Sequence, residues 1–170
     1  MTQKRTIKYI VIHCTATQPT VTIEAIKRYW KEVRGWGDTA GYHYVIKRNG
    51  EIVQLLDEAK NSNGVYAHNS VCINMSYIGG VDKNNNPIDN RTDAQKQAMF
   101  DKIVELTNKY SGAKPLGHRD FPDVHKACPS FDVKTWLQNY VPDVIAKANF
   151  QNTDEQDDEN DDHFNHSDLS

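Results

Sequence analysis

IKYIVIHCTAT, residues 7–17, is the stretch on which the fold turns. From Ile7 to Ile12 it is almost continuously apolar and rich in β-branched residues. A strand with one wet face alternates between apolar and polar. An unbroken run of this kind reads instead as a strand buried on both faces. It leads directly into His13, so a side chain that can bind protons or metals stands at the end of a buried strand.

Outward from this strand, helical and extended patterns alternate. Thr22 is placed to cap a helix whose apolar positions Ile23, Ile26, Tyr29, Trp30 and Val33 share one face, and Gly35 to end it. Tyr42 to Leu56 (YHYVIKRNGEIVQLL) reads as two strands around Asn49-Gly50, the strongest short hairpin signal. Strand alternation then puts Tyr42 and His43 on opposite faces, so only one of them can face a given cleft. A Gly/Asn/Ser loop covers about residues 59–70. Cys72 to Ile78 is a further apolar strand closed by Gly79-Gly80, and DKNNNPIDN (82–90) is a turn-rich surface loop. Thr92-x-x-Gln95 is a capping box that opens a long helix with Met99, Ile103, Leu106 and Tyr110 on its apolar side. Lys114 to Gly117 reads as a short strand feeding His118. Asp132 caps a last helix bearing Trp136, Leu137 and Tyr140. No internal repeat is present. The expectation is an α/β (α+β) fold, with one mixed central β-sheet flanked by helices.

Composition agrees with a single domain. The chain has 170 residues, of which 38% are hydrophobic and 25% charged, enough for one globular domain with a real core. No apolar run reaches the length of a membrane span. The run behind the basic start, Tyr9 to Ile12, is too short for a secretion-signal core. The expectation is synthesis in the cytoplasm without a signal peptide and without membrane insertion. Three cysteines (Cys14, Cys72, Cys128) make an odd set, which favours a metal or catalytic role for at least one over a disulfide framework. The net charge of −3 hides an asymmetry: residues 151–170 hold eight acidic residues and no Lys or Arg, leaving 20 basic against 15 acidic in the rest. A mildly basic body suits an anionic partner and is too weakly charged to argue for nucleic acid. The tail is expected to be disordered, which divides the chain into a domain over residues 1–147 and an acidic tail over 148–170. Nothing calls for an obligate oligomer, so a monomer is expected.

Seven histidines are present. His163 and His166 lie in the tail, with nothing to fix a geometry around them. His68 sits in a polar loop, at a cleft or simply at the surface, and His125 is most simply exposed. His13, His118 and Cys128 remain. His118 opens GHRDFPDVHKACPSFD (117–132), a stretch whose two prolines exclude a helix interior or a central strand. Two imidazoles and a thiolate form a set that zinc accepts, with a fourth position left for water. The same residues, taken singly, also suit a hydrogen-bonded core histidine and a cysteine acting as a small hydrophobe.

Five segments go further: VIHCTAT (11–17), GYHYVIKRNGEI (41–52), YIGG (77–80), GHRD (117–120) and KACPSFD (126–132). In residue and order they resemble the zinc-dependent N-acetylmuramoyl-L-alanine amidases of the amidase-2 family, and most of all its phage-lysozyme-like branch of endolysins and prophage amidases. The resemblance spans roughly residues 7–140. It implies a mixed sheet with helices on its faces and a zinc cleft above it. It also implies hydrolysis of the amide between N-acetylmuramic acid and L-alanine in peptidoglycan, with one Zn2+ per chain. His13, His118 and Cys128 match the family's zinc ligands, Tyr42 its active-site tyrosine and Lys126 its lysine two residues before the cysteine. His43 is not a ligand in the family.

The chain departs from the family in one stretch. Many members read H-A-x-G-x-N-x-x-S-I-G-I before the double glycine, where this chain has NGVYAHNSVCINMSYIGG (63–80). Gly64 stands at the histidine position and Cys72-Ile73-Asn74 at the Ser-Ile-Gly positions. His68 and Asn69 become the candidates for substrate contacts in this loop. Three rival readings stay open: a non-catalytic peptidoglycan-binding module, as among peptidoglycan recognition proteins; a cytoplasmic amidase for cell-wall recycling; and an amidase that also binds another protein, with the tail as one route. The intact Tyr42, Lys126 and Cys128 argue for a working enzyme. For an endolysin-like protein, access to the wall implies holin-type release.

Overall fold

The computed structural model describes residues 4–142. The acidic tail, His163, His166 and the expected boundary at 147 lie outside the described residues. Five strands, β1 (Tyr9–Cys14), β2 (Tyr44–Ile46), β3 (Ile52–Gln54), β4 (Cys72–Tyr77) and β5 (Lys114–Gly117), form one sheet in the order β3-β2-β4-β1-β5. β1 runs parallel to β4 and β5, β2 runs parallel to β4, and β3 pairs antiparallel with β2. The sheet is therefore mixed, as expected. Three helices complete it: α1 (Ile23–Glu32), α2 (Asp93–Lys109) and α3 (Val133–Asn139).

The central pair explains the unbroken apolar run. Ile10 and Ile12 of β1 and Ile73 and Met75 of β4 pack with Met99, Ile103 and Leu106 of α2 and with Val133 of α3. Val11 joins Cys72, Val65, Leu116 and Phe121 in a second cluster. Each fully buried Val, Ile, Leu or Met among these contributes about 1.5–3 kcal/mol, so β1 and β4 form a rigid frame. A third cluster holds Ile26 and Trp30 of α1 with Ala40, Val45 and Ile78.

The helix caps form as read. Thr22 accepts from the Ala25 N–H, Asp132 from the Thr135 N–H, and Thr92 with Gln95 makes the reciprocal box. Gln95 does more than cap: its buried amide donates to the carbonyls of Ile46 and Ile78, both at 3.1 Å. One expectation needs correction. The hairpin strands are three residues each, so Tyr42 and His43 precede β2; His43 still donates its N–H to the Asn74 carbonyl at 2.9 Å. On α1 only Ile26 and Trp30 are buried, whereas Tyr29 is 49% and Val33 68% exposed. Val33 falls at the C-cap, where Gly35 turns the chain out at φ +70°, and Tyr29 lies on a cleft wall. No helix among the described residues is long and apolar enough to cross a membrane.

Candidate active site and metal centre

Parallel strands bring like ends together. β1 and β5 are in register with Ile12 opposite Gly117, so the next residue of each, His13 and His118, emerges at the same sheet edge. Their rings lie 4.7 Å apart. Asp120 accepts the Gly117 N–H at 2.7 Å and fixes the tight turn His118–Asp120. The chain then leaves the sheet and returns with Cys128. Four contacts close this excursion: Arg119 N–H to the Cys128 carbonyl (2.9 Å), Tyr77 hydroxyl to the Pro129 carbonyl (2.7 Å), Ser130 hydroxyl to the Gly80 carbonyl (2.9 Å), and Pro129 against Gly117. A Cβ at residue 117 would come within 2.9 Å of the proline ring, so glycine permits the closure. Cys128 Sγ ends 3.8 Å from His13 Nδ1. One donor atom from each of His13, His118 and Cys128 lies within 4.8 Å of the others, a cluster that could hold a metal ion.

The electrostatics suit a cation. Burial, the nearby His118 and Lys126 push His13 down to about 3, against the pull of its hydrogen bond to Asn74. Burial and Lys126 push His118 down to about 4. Both rings are neutral at pH 7 with lone pairs free to ligate. A hydrogen bond with Cys14 and burial hold the Cys128 thiol above its ordinary range, so it keeps its proton until a cation displaces it. Two neutral imidazoles and one displaceable thiol proton, converging in a dry corner, fit a zinc-type ion better than a hard oxygen-seeking one.

Above this cluster lies a cleft of about 510 Å³. Tyr42, Lys126, Asn69 and His125 line it together with the three donors, and Tyr29, Trp30, Trp36 and Tyr66 form aromatic walls. The Tyr42 ring sits 5.0 Å from His13 and edge-on to Trp30 at 5.5 Å. Its hydroxyl donates to the Cys14 carbonyl at 3.3 Å. Burial, with the neighbouring thiols, raises its pKa and keeps the phenol protonated. Lys126 is exposed on the loop. His43 is buried and absent from the cleft lining.

The two loop candidates separate. Asn69 lines the cleft, but its Oδ1 accepts the Val65 N–H at 2.7 Å and so shapes the loop. His68 is not among the lining residues; it stacks on Phe121 at 4.7 Å and meets Asp123 at 3.3 Å. Two residues to which the sequence reading gave no role in the site support it. Arg5 binds the carbonyls of Glu58, Lys60, Asn69 and Cys72 at 2.6–2.9 Å and so ties down the loop behind the cleft. Asn74 holds His13 Nε2 at 2.8 Å.

The chain is similar to known proteins in sequence and in fold. Residues 3–131 match the family described as N-acetylmuramoyl-L-alanine amidase. An endolysin of Klebsiella phage KP32 is 37% identical over 138 residues, covering 81% of this chain and 89% of its own length. The solved Ph2119 endolysin from the Thermus scotoductus MAT2119 bacteriophage superposes with a TM-score of 0.67 at 23% identity, over 80% of this chain and 84% of that one. Bumblebee PGRP-SA superposes at 0.63 with 17% identity, over 80% and 83%. At such identities the structural likeness speaks for the fold.

Proposed function

The chain belongs to the N-acetylmuramoyl-L-alanine amidase family, and for this cell-wall amidase we propose a zinc-dependent reaction with one Zn2+ held by His13, His118 and Cys128. The bond cut is the amide between the lactyl group of N-acetylmuramic acid and L-alanine of the stem peptide. The observation that carries the reading is the convergence of the three donors within 4.8 Å beneath a cleft lined by Tyr42 and Lys126. Zinc would supply Lewis acidity, polarising the scissile carbonyl and making a water acidic enough to attack near neutral pH.

The chain's own groups do the rest. Three protein donors would leave a fourth position on the ion for water or substrate, as in catalytic rather than closed structural sites. Lys126 brings a positive donor to the negative charge that develops on the carbonyl oxygen. Tyr42 stays protonated, so it acts as a hydrogen-bond donor rather than as a base; it can turn from the Cys14 carbonyl to that oxygen or to the attacking water.

By likeness to phage endolysins, we infer a lytic role on peptidoglycan by a monomer that reaches the wall after holin-type release. Mass spectrometry of purified peptidoglycan treated with the protein tests the reaction. Stem peptides with a free N-terminal L-alanine should appear, vanish with a chelator and return with zinc. Uncut peptidoglycan that sediments with the protein would favour a binding module instead.

A further inference from the structure

We infer that Asn74 is the positioning residue of this site. Its side-chain oxygen holds the His13 ring with the proton on Nε2 and Nδ1 turned to the metal, and Gly64 is the gap that admits it. The inference rests on the zinc reading above for its effect on binding, but its geometry stands apart from it.

A neutral imidazole donates from one nitrogen and accepts at the other, and a fixed partner decides which. Here the partner is itself fixed. The Val65 N–H donates to Asn69 Oδ1 at 2.7 Å, which makes that atom the oxygen of its amide. Asn74 Nδ2 faces the same oxygen at 3.5 Å and Ser62 Oγ at 2.7 Å. The NH2 end of Asn74 is thereby committed, and its Oδ1 is the end 2.8 Å from His13 Nε2. His13 must donate there, so its Nδ1 lone pair is the one on the Cys128 side, 3.8 Å from Sγ. The Asn74 backbone is also anchored: its N–H donates to His43 Nδ1 at 3.0 Å, and His43 Nε2 donates to the Lys60 carbonyl at 2.7 Å. His13, His43, Ser62 and Asn74 are all buried, at 0–1% exposure. At that burial, a broken link leaves a polar group out of reach of bulk solvent.

Gly64 completes the device. A Cβ at residue 64 would lie 2.4 Å from Asn74 Cγ and 2.6 Å from its Oδ1, so only glycine leaves room for this amide. Positions 64 and 74 are also where the chain departs from the family pattern, with glycine and asparagine in place of histidine and glycine. The space given up at one position is filled from the other, which makes the two departures one coupled exchange.

The test uses the full chain and four forms: the unaltered protein, Asn74→Leu, Asn74→Asp and Gly64→Ala. Long-range 1H–15N spectra of the metal-free protein report the His13 tautomer, and competition with a chromogenic chelator reports the zinc Kd. The unaltered protein should show Nε2–H. Asn74→Leu should mix the tautomers and raise the zinc Kd by about 10–100-fold, the usual effect of removing a partner of a metal-bound histidine. Asn74→Asp keeps the acceptor and should retain Nε2–H, with a Kd within about threefold. Gly64→Ala keeps both partners but displaces the amide, so it should weaken zinc as well; if Asn74→Leu does not fold, this variant and Asn74→Asp decide. An Nδ1–H tautomer in the unaltered protein, wild-type zinc affinity in Asn74→Leu, or equal losses in the leucine and aspartate variants would overturn the inference. If the unaltered protein takes up no zinc yet loses its tautomer with Asn74, the zinc reading fails and the positioning role stands.

Discussion

The two halves of the site are held by opposite kinds of structure. His13 and His118 stand at the ends of β1 and β5, where strand register places them and burial leaves them 1% and 9% exposed. Cys128 and Lys126 stand on an irregular excursion between the sheet and α3, pinned by a few hydrogen bonds and largely open to solvent around Lys126. The sheet half supplies fixed geometry. The loop half supplies the thiol and the charge.

The largest effect breaks both halves at once. His13→Ala or Cys128→Ser should remove bound zinc and activity together, as measured by metal analysis and peptide release. Stoichiometric zinc in either variant would remove that residue from the ligand set. A smaller effect separates the halves. Lys126→Ala should keep zinc and lower kcat by about 10²-fold or more, the scale of losing one oxyanion donor. Full activity in that variant would take Lys126 out of the reaction.

The smallest effect belongs to the sheet half alone. In the folded, metal-free chain His13 and His118 titrate near 3 and 4, against 6.5 for an ordinary histidine. Between these values the unfolded chain binds more protons than the folded one. Metal-free stability is therefore full above about pH 6.5 and falls as the pH drops towards 4. With a chelator present, the melting temperature should fall by about 4 °C or more from pH 7 to pH 5. A flat profile would mean that the histidines are not held neutral by burial.

The same division governs what could be read from the sequence. The sheet was legible because its signals are local: the run from Tyr9 to Ile12 is apolar because both faces are covered, Asn49-Gly50 forms the hairpin turn, and Thr92 with Gln95 makes its cap within four residues. Tyr29 and Val33 were read onto the apolar face of α1 but not into the core or out of it, because helical spacing records which residues share a face, not where a cleft wall or a helix end cuts that face off. The departures at Gly64 and Asn74 were visible one by one, but their meaning lies in a contact between residues ten apart in sequence that only the fold brings together. Arg5 carried no signal at all, since a lone arginine near the start of a chain looks like any solvated charge. Similarity to the amidases named candidate roles for Tyr42 and Lys126, which spacing could not do. His68, a candidate because its loop departs from the family pattern, contacts Phe121 and Asp123.

X-ray absorption at the zinc edge on the purified protein tests the central claim most directly. The account predicts one zinc per chain, with nitrogen or oxygen neighbours at about 2.0–2.1 Å and a single sulfur at about 2.3 Å. A zinc site without a sulfur neighbour, or a protein that cannot be loaded with zinc, would contradict it.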